Sequence, residues 1–139
     1  MENWIKYTNK EIKGKSKNPE ISIGLPIYNG EKFIRKRLEN ILSQTFNDFE
    51  LIISDNASTD DSVKICKEFM EKDSRIKLYV QDKNIGQFNN YNFILDHVLG
   101  KYFLWIAADD LLSPKFLEKN FNVLEADEKI VTSVSKLKM

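Results

Sequence analysis

The sequence predicts an α/β protein built on an open, doubly wound, mostly parallel sheet. Short apolar runs rich in β-branched residues alternate with amphipathic helical segments, and little loop separates them. Polar and acidic residues also gather directly after the strand segments, the edge where ligands bind in such sheets.

The first strand is carried by Ile21, Ile23, Leu25 and Ile27, which alternate with smaller residues until Pro26 to Gly30 breaks the run. From Glu31 to Gln44, the spacing of Ile34, Leu38, Ile41 and Leu42 predicts a helix, with Arg35, Lys36 and Arg37 on its wet face. Phe49 to Ser54 reads as a strand buried on both faces. Ser58 or Thr59 is placed to cap the next helix, with Asp60 and Asp61 in its first turn and Ile65, Cys66, Phe69 and Met70 turned inward.

Ile76, Leu78 and Val80 form a third strand. Gln87 to Leu99 is a helix stopped by Gly100, and its His97 has a structural role. Lys101 to Ala107 is the fourth strand, Ser113-Pro114 opens a helix striped by Leu117, Phe121 and Leu124, and a fifth strand is expected from Ile130. Residues 1–19 read as a polar, solvated extension and 20–139 as one ligand-binding domain.

Composition narrows the partners. Twenty-one basic residues balance twenty-one acidic ones, so no global field favours nucleic acid. The single cysteine, Cys66, excludes an intramolecular disulfide and fits a reducing compartment. The longest apolar run, Tyr102 to Ala108, is far short of the ~20 residues a membrane-spanning helix needs. A cytoplasmic protein is expected, with the lysine-scattered start able to touch the inner membrane surface.

The strand ends supply Pro26, Tyr28 and Asn29, then Asp55, Asn56 and Ser58, then Asn84 and Gly86, then Asp109 and Asp110. Asp109 and Asp110 close a very hydrophobic strand, where an acidic pair is unfavourable unless a cation sits opposite. Hard oxygen ligands suit Mg2+ or Mn2+ shared with a phosphate. Asp55 is placed to accept a hydrogen bond from a base or ribose, Tyr28 to stack on a nucleobase, and Asn29 to cap the first helix.

Taken singly, each residue has a plainer reading. Asp55 and Asn56 also form turns, Asp109-Asp110 also reads as a solvated loop, and Tyr28 also packs. Co-location on one edge carries the case. Rival phosphate chemistries fail on residues: one glycine lies between Pro26 and Glu31 where a dinucleotide fold needs three. No Gly-Lys-Ser/Thr turn follows a strand, and Ala57 stands where an aspartyl phosphatase places its second acid.

Together the motifs resemble the family 2 inverting glycosyltransferases with the GT-A fold, from about Ile21 to Asp127. Ile21-Ser-Ile-Gly-Leu-Pro-Ile-Tyr-Asn29 is similar to the family's opening strand and turn. Leu51 to Asp60 is similar to its strand-Asp-Asp/Asn-Gly/Ala-Ser-Thr-Asp segment, Asn84-Ile-Gly86 to its Asn-x-Gly, and Gly100 to Asp110 to the strand that delivers its Asp-x-Asp motif. The resemblance implies that Asp55 contacts the base, that Pro26 and Tyr28 line its pocket with Asn29 and Asn84 also on the nucleotide side, and that Asp109, with Asp110 as the second candidate, holds Mn2+ or Mg2+.

It further implies a nucleotide-sugar donor, a glycan or lipid-linked sugar acceptor, and a role in polysaccharide or other glycan synthesis through one inverting displacement. Two departures stand out. Ala107 occupies the position of the motif's usual first Asp, and the acceptor half with the catalytic base is expected beyond the last residue, Met139. The alternative reading is a truncated, non-catalytic nucleotide-binding module that self-associates through its uncovered C-terminal side.

Overall fold

Two seven-residue strands, Ile21–Ile27 and Phe49–Asp55, lie at the centre of the sheet, and all but Pro26 of their residues are buried. Burial on both faces is why these runs are mostly apolar or small, and why their polar residues Ser22, Glu50, Ser54 and Asp55 are buried with them. The computed structural model describes the backbone of Trp4–Tyr7 and the residues 18–107 and 110–133.

In chain order the elements are β1 (Trp4–Tyr7), β2 (Ile21–Ile27), α1 (Glu31–Leu42), β3 (Phe49–Asp55), α2 (Ser62–Met70), β4 (Ile76–Gln81), α3 (Gln87–Leu95), β5 (Tyr102–Trp105) and α4 (Phe116–Ala126). The sheet order is β1-β4-β3-β2-β5. β4, β3, β2 and β5 run parallel, and β1 adds an antiparallel edge against β4. The expected α/β architecture is therefore present, with the parallel strands ending on a common rim.

One face of the sheet packs against α1, α2 and α4 through Ile34, Leu38, Ile41, Cys66, Met70 and Leu117. The other carries α3, with Ile94 against Ile52 and Tyr79. His97, just past α3, packs on Phe93 and Tyr79 at ring-centroid distances of 4.3 and 4.6 Å, the structural role expected of it.

Several local expectations are corrected. Trp4–Tyr7 is a strand within the stretch read as a solvated extension: a free sheet edge offers unpaired backbone groups, and these residues pair antiparallel with Leu78 to Gln81 of the edge whatever the surrounding lysines. Arg37 is only 1% exposed, because the spacing that turns Ile34, Leu38 and Ile41 inward also turns position 37 inward. Arg35, on the wet face, pairs with Glu68 of α2 at 2.7 Å. Residues 130–133 form no strand, and the rest of the expected fifth strand lies outside the described residues.

The helix before β5 ends at Leu95, ahead of the expected Leu99. Gly100 is needed for close approach to β2, not as a helix stop. A Cβ there would lie 2.5 Å from Ser22 N and 2.8 Å from Ile21 C. Buried Glu50 holds the same crossing, accepting from Leu99 N (2.9 Å), Ser22 Oγ and Lys77 Nζ.

Candidate functional site: a cavity at the strand ends

Pro26 shapes the rim by what it lacks. The ladder between β2 and β5 ends at Gly24–Trp105, with a last bond from Ile106 N to Gly24 O at 3.0 Å. Two residues on, Pro26 has the same orientation but no N–H to continue the ladder. β5 therefore leaves the sheet there and hands its acidic loop to the rim. That loop is fastened to α1: Asn40 pairs with the backbone N and O of Leu112 at 2.8 and 2.9 Å, and Gln44 bonds Ser113 O and Leu117 N. Asp110 is exposed on it, while Asp109 lies outside the described residues.

The β2 and β3 turns brace each other. Asn29 N donates to Ser58 Oγ (2.8 Å), Gly30 N to Ser62 Oγ (2.8 Å) and Glu31 N to Asp60 Oδ2 (3.1 Å). In return Thr59 N donates to Asn29 Oδ1 (2.8 Å) and Asp61 N to Glu31 Oε2 (3.0 Å). Each helix start thus receives side-chain acceptors from across the pair of turns, and Ser62 N takes a further one from Asp60 of its own turn.

This corrects three expectations. Asn29 does not cap α1, whose N-cap is Gly30 without a side-chain bond; its amide oxygen is taken by Thr59. Neither Ser58 nor Thr59 caps α2, which begins at Ser62 after Asp61. Asp60 precedes the helix and accepts from Ser62 N and Oγ. The price of the tight fit is positive φ at Asn29 (50°) and Ala57 (61°), a region L-residues rarely occupy.

Between these turns and α3 lies a cavity of about 310 Å³, lined by Pro26, Ile27, Tyr28, Asn56, Asn84, Gln87, Asn90 and Tyr91. Tyr28 is 54% exposed, so its ring is open to a ligand, and Tyr91 is backed by Trp105 at 4.7 Å between ring centroids. Asn84 helps build the wall. Its Oδ1 accepts from Asn56 Nδ2 (3.1 Å) and Gly86 N (2.9 Å), while Asn56 Oδ1 accepts from Ile85 N (2.8 Å). Asn90 is fixed by a two-way bond with Ser54, at 2.6 Å to its side chain and 3.0 Å to its backbone.

Asp55 is one residue before Asn56 and in register with Ile27, both of which line the cavity. It is 0% exposed. Its Oδ2 accepts from Ser58 N at 2.8 Å, whereas Oδ1 is buried with no hydrogen-bond partner. Burial raises the carboxyl above its ordinary range and the Asp60 charge adds to the rise; nearby Ser58 and Ala57 groups lower it only in part. The same pocket of low polarity, with the Asp55 charge, pushes the Cys66 thiol up to about 12, so it is inert as a nucleophile.

Of the residues singled out from the sequence, the structure brings Pro26, Tyr28 and Asn84 to the cavity, while Asp55 is next to its lining residues Asn56 and Ile27 without lining it. It assigns Asn29 to the turn lock. Gln87, Asn90 and Tyr91 went unnoticed as site residues, although three polar or aromatic residues in the first turns of a helix that follows Asn-x-Gly were a usable signal.

A doubly wound sheet with a polar, aromatic-walled cavity at its strand ends is an architecture in which α/β domains bind ligands. Residues 22–137 match the family model described as Glycosyl transferase family 2, and the chain belongs to that family. It is similar to "Glycosyltransferase GlyA" of Streptococcus pneumoniae serotype 4, at 36% identity over 99 residues, covering 71% of this chain and 14% of that protein. Among solved structures it is similar to S. aureus TarS 1–349 in complex with UDP, with a TM-score of 0.72 and 25% identity, covering 77% of this chain and 32% of that one.

The mannosyltransferase PcManGT of Pyrobaculum calidifontis, solved with GDP-Man and Mn2+, shares the fold at a TM-score of 0.64 and 24% identity, over 71% of this chain and 30% of that one. The chain thus spans less than a third of the length of these three relatives. Among the described residues no helix is long and apolar enough to cross a membrane.

Proposed function

We propose that this chain is the donor-binding part of a glycosyltransferase that moves a sugar from a nucleoside diphosphate sugar to an acceptor hydroxyl with inversion. The observation that carries the reading is Asp55: a carboxylate oxygen, buried and without a donor, in a residue whose chain neighbour Asn56 and register partner Ile27 line a cavity with aromatic walls. An unsatisfied buried acceptor is costly, and a bound N–H group would relieve it. Tyr28 and Tyr91 offer ring faces to the base, and the amide-rich wall offers hydrogen bonds to its edge. The UDP complex of TarS supports the same class of ligand.

The diphosphate would extend toward the loop that leaves β5. Among the described residues no group of three or more His, Cys, Asp or Glu is placed to hold a metal. Two adjacent carboxylates, Asp109 and Asp110, with Ala107 two positions before the first, form a sparse oxygen donor set. Such a set fits Mg2+ or Mn2+, which keep waters and share substrate phosphates. Asp109 and Asp110 would hold the ion, whose charge would offset the negative charge that develops on the leaving diphosphate. The acceptor is a glycan or lipid-linked sugar in polysaccharide assembly, and its hydroxyl is deprotonated by a base outside the residues named here.

Titration calorimetry with nucleoside diphosphates and their sugars, with and without Mn2+, tests the reading. Binding that requires Mn2+ and is abolished by Asp109→Asn is the expected result. Absence of binding to every nucleotide would refute the site.

A further inference from the structure

The acidic loop after β5 is tied down at both ends, and its far end is held by two amide side chains. Upstream, Ile106 N donates to Gly24 O at 3.0 Å, the last bond between β5 and β2. Downstream, Asn40 in the last turn of α1 donates from Nδ2 to Leu112 O at 2.9 Å and accepts from Leu112 N at 2.8 Å. Residues 107–111 lie between these fastenings, and Asp109 and Asp110 are among them. Resting on the function proposed above, we propose that Asn40 and Gln44 are positioning residues for the divalent ion. They fix the end of the loop that carries its two carboxylates, and so set the affinity for the ion.

The chemistry of the amide suits this role. Asn offers a donor and an acceptor together, so Asn40 engages both polar groups of Leu112 as a neighbouring strand would. Gln44, 3% exposed, repeats the pattern four positions on. Its Nε2 donates to Ser113 O at 2.8 Å and its Oε1 accepts from Leu117 N at 3.2 Å, which ties the loop to the first turn of α4. Thr45 N adds a bond to Pro114 O at 3.0 Å. Inside the loop, by contrast, Asp110 N reaches Ala107 O only at 3.4 Å, a long bond that fixes little by itself.

A free loop would have to lose backbone freedom when its carboxylates take up an ion, and a clamped one has lost it already. Groups that orient metal ligands without touching the metal typically change its affinity by about 10–100-fold. Asn40 and Gln44 act through the backbone beyond Asp110, which places them at the lower end of that range.

The experiment titrates Mn2+ into the full chain with UDP or GDP present and reads free Mn2+ by electron paramagnetic resonance against a protein-free mixture. The native chain, Asn40→Ala and Gln44→Ala are compared. Metal-free binding of UMP and GMP is measured by calorimetry, and circular dichroism confirms folding. Each variant is expected to need about tenfold more Mn2+ for half-saturation, with monophosphate binding unchanged. Monophosphate binding weakened by the same factor would make both residues merely structural and overturn the inference, as would unchanged Mn2+ uptake in both variants. A native chain that binds a diphosphate without taking up Mn2+ would overturn it too, and leave the nucleotide site standing. Binding of neither nucleotide would overturn the proposed function itself. Should the variants not fold, hydrogen exchange of the native chain decides. The amides of Leu112 and Leu117 are expected to be protected before any ligand is added, and unprotected exchange at both would remove the clamp.

Discussion

Replacing Asp55 with Asn should stabilise the ligand-free protein at neutral pH, even though it removes a charge-assisted hydrogen bond. The carboxylate is 0% exposed, and one of its oxygens has no donor. Burial outweighs the bond from Ser58, since the carboxyl sits above its ordinary range. The native state therefore holds this proton more tightly than the unfolded chain does. The resulting stability is fully present below the unfolded value of about 3.9 and is lost as pH rises through the native value.

Once ionised, the group costs on the order of 1–3 kcal/mol, the penalty of an unsatisfied buried acceptor. Asn keeps an oxygen for Ser58 N and carries no charge. For a domain of this size each kcal/mol shifts the melting temperature by about 3–5 °C. Thermal melts of both proteins from pH 4 to pH 8 should show a gap that opens as pH rises, with the variant on top. UDP should narrow or reverse it, because the ligand stabilises only the form it binds. A variant less stable than the native chain at pH 7, or a gap independent of pH, would refute the reasoning.

Gly100→Ala should cost about 3 kcal/mol in chemical denaturation, at the top of the overpacking range, because the new Cβ meets backbone atoms of β2 that cannot rotate away. Gly24→Ala meets only side-chain atoms of Trp105, Ile94 and Phe103 and should cost less. Asp60→Ala should cost about 1–2 kcal/mol, since the acceptor for both Glu31 N and Ser62 N goes at once. A slight burial penalty raises the Asp60 carboxyl, but hydrogen bonds from Ser62 and Glu31 win and lower it. Its contribution is thus present above about pH 3.9 and lost as pH falls through its native value, opposite in sign to Asp55. Ala57→Gly should stabilise by about 1 kcal/mol in the same assay by relieving the positive φ, and a loss would show that the turn is not strained there.

The four parallel strands and their order along the chain were legible because apolar periodicity is local. Ile21 to Ile27 and Phe49 to Asp55 carry it without reference to anything distant in the sequence. The rim was legible for the same reason: once strand ends are located, the residues that follow them share one edge in a parallel sheet, which is how Pro26, Tyr28, Asp55 and Asn84 could be named together. Local signals also misled where a partner was remote. Asn29 and Ser58 looked like caps for their own helices and Asp60 like a first-turn carboxylate, yet each bonds to the opposite turn about 30 positions away, a pairing that only folding creates.

Arg37 followed its polarity to the wet face in the sequence and its helical angle to the core in the structure, because packing geometry fixes which way a position points regardless of what occupies it. What tertiary structure alone decided is the state of Asp55. Sequence placed a carboxylate at the end of a strand, where a turn former and a ligand contact read alike. The sheet buries it and Ser58 takes one oxygen, so a single acceptor is left without a donor. Burial and hydrogen-bond count are sums over neighbours from many parts of the chain, and no local window of sequence contains them.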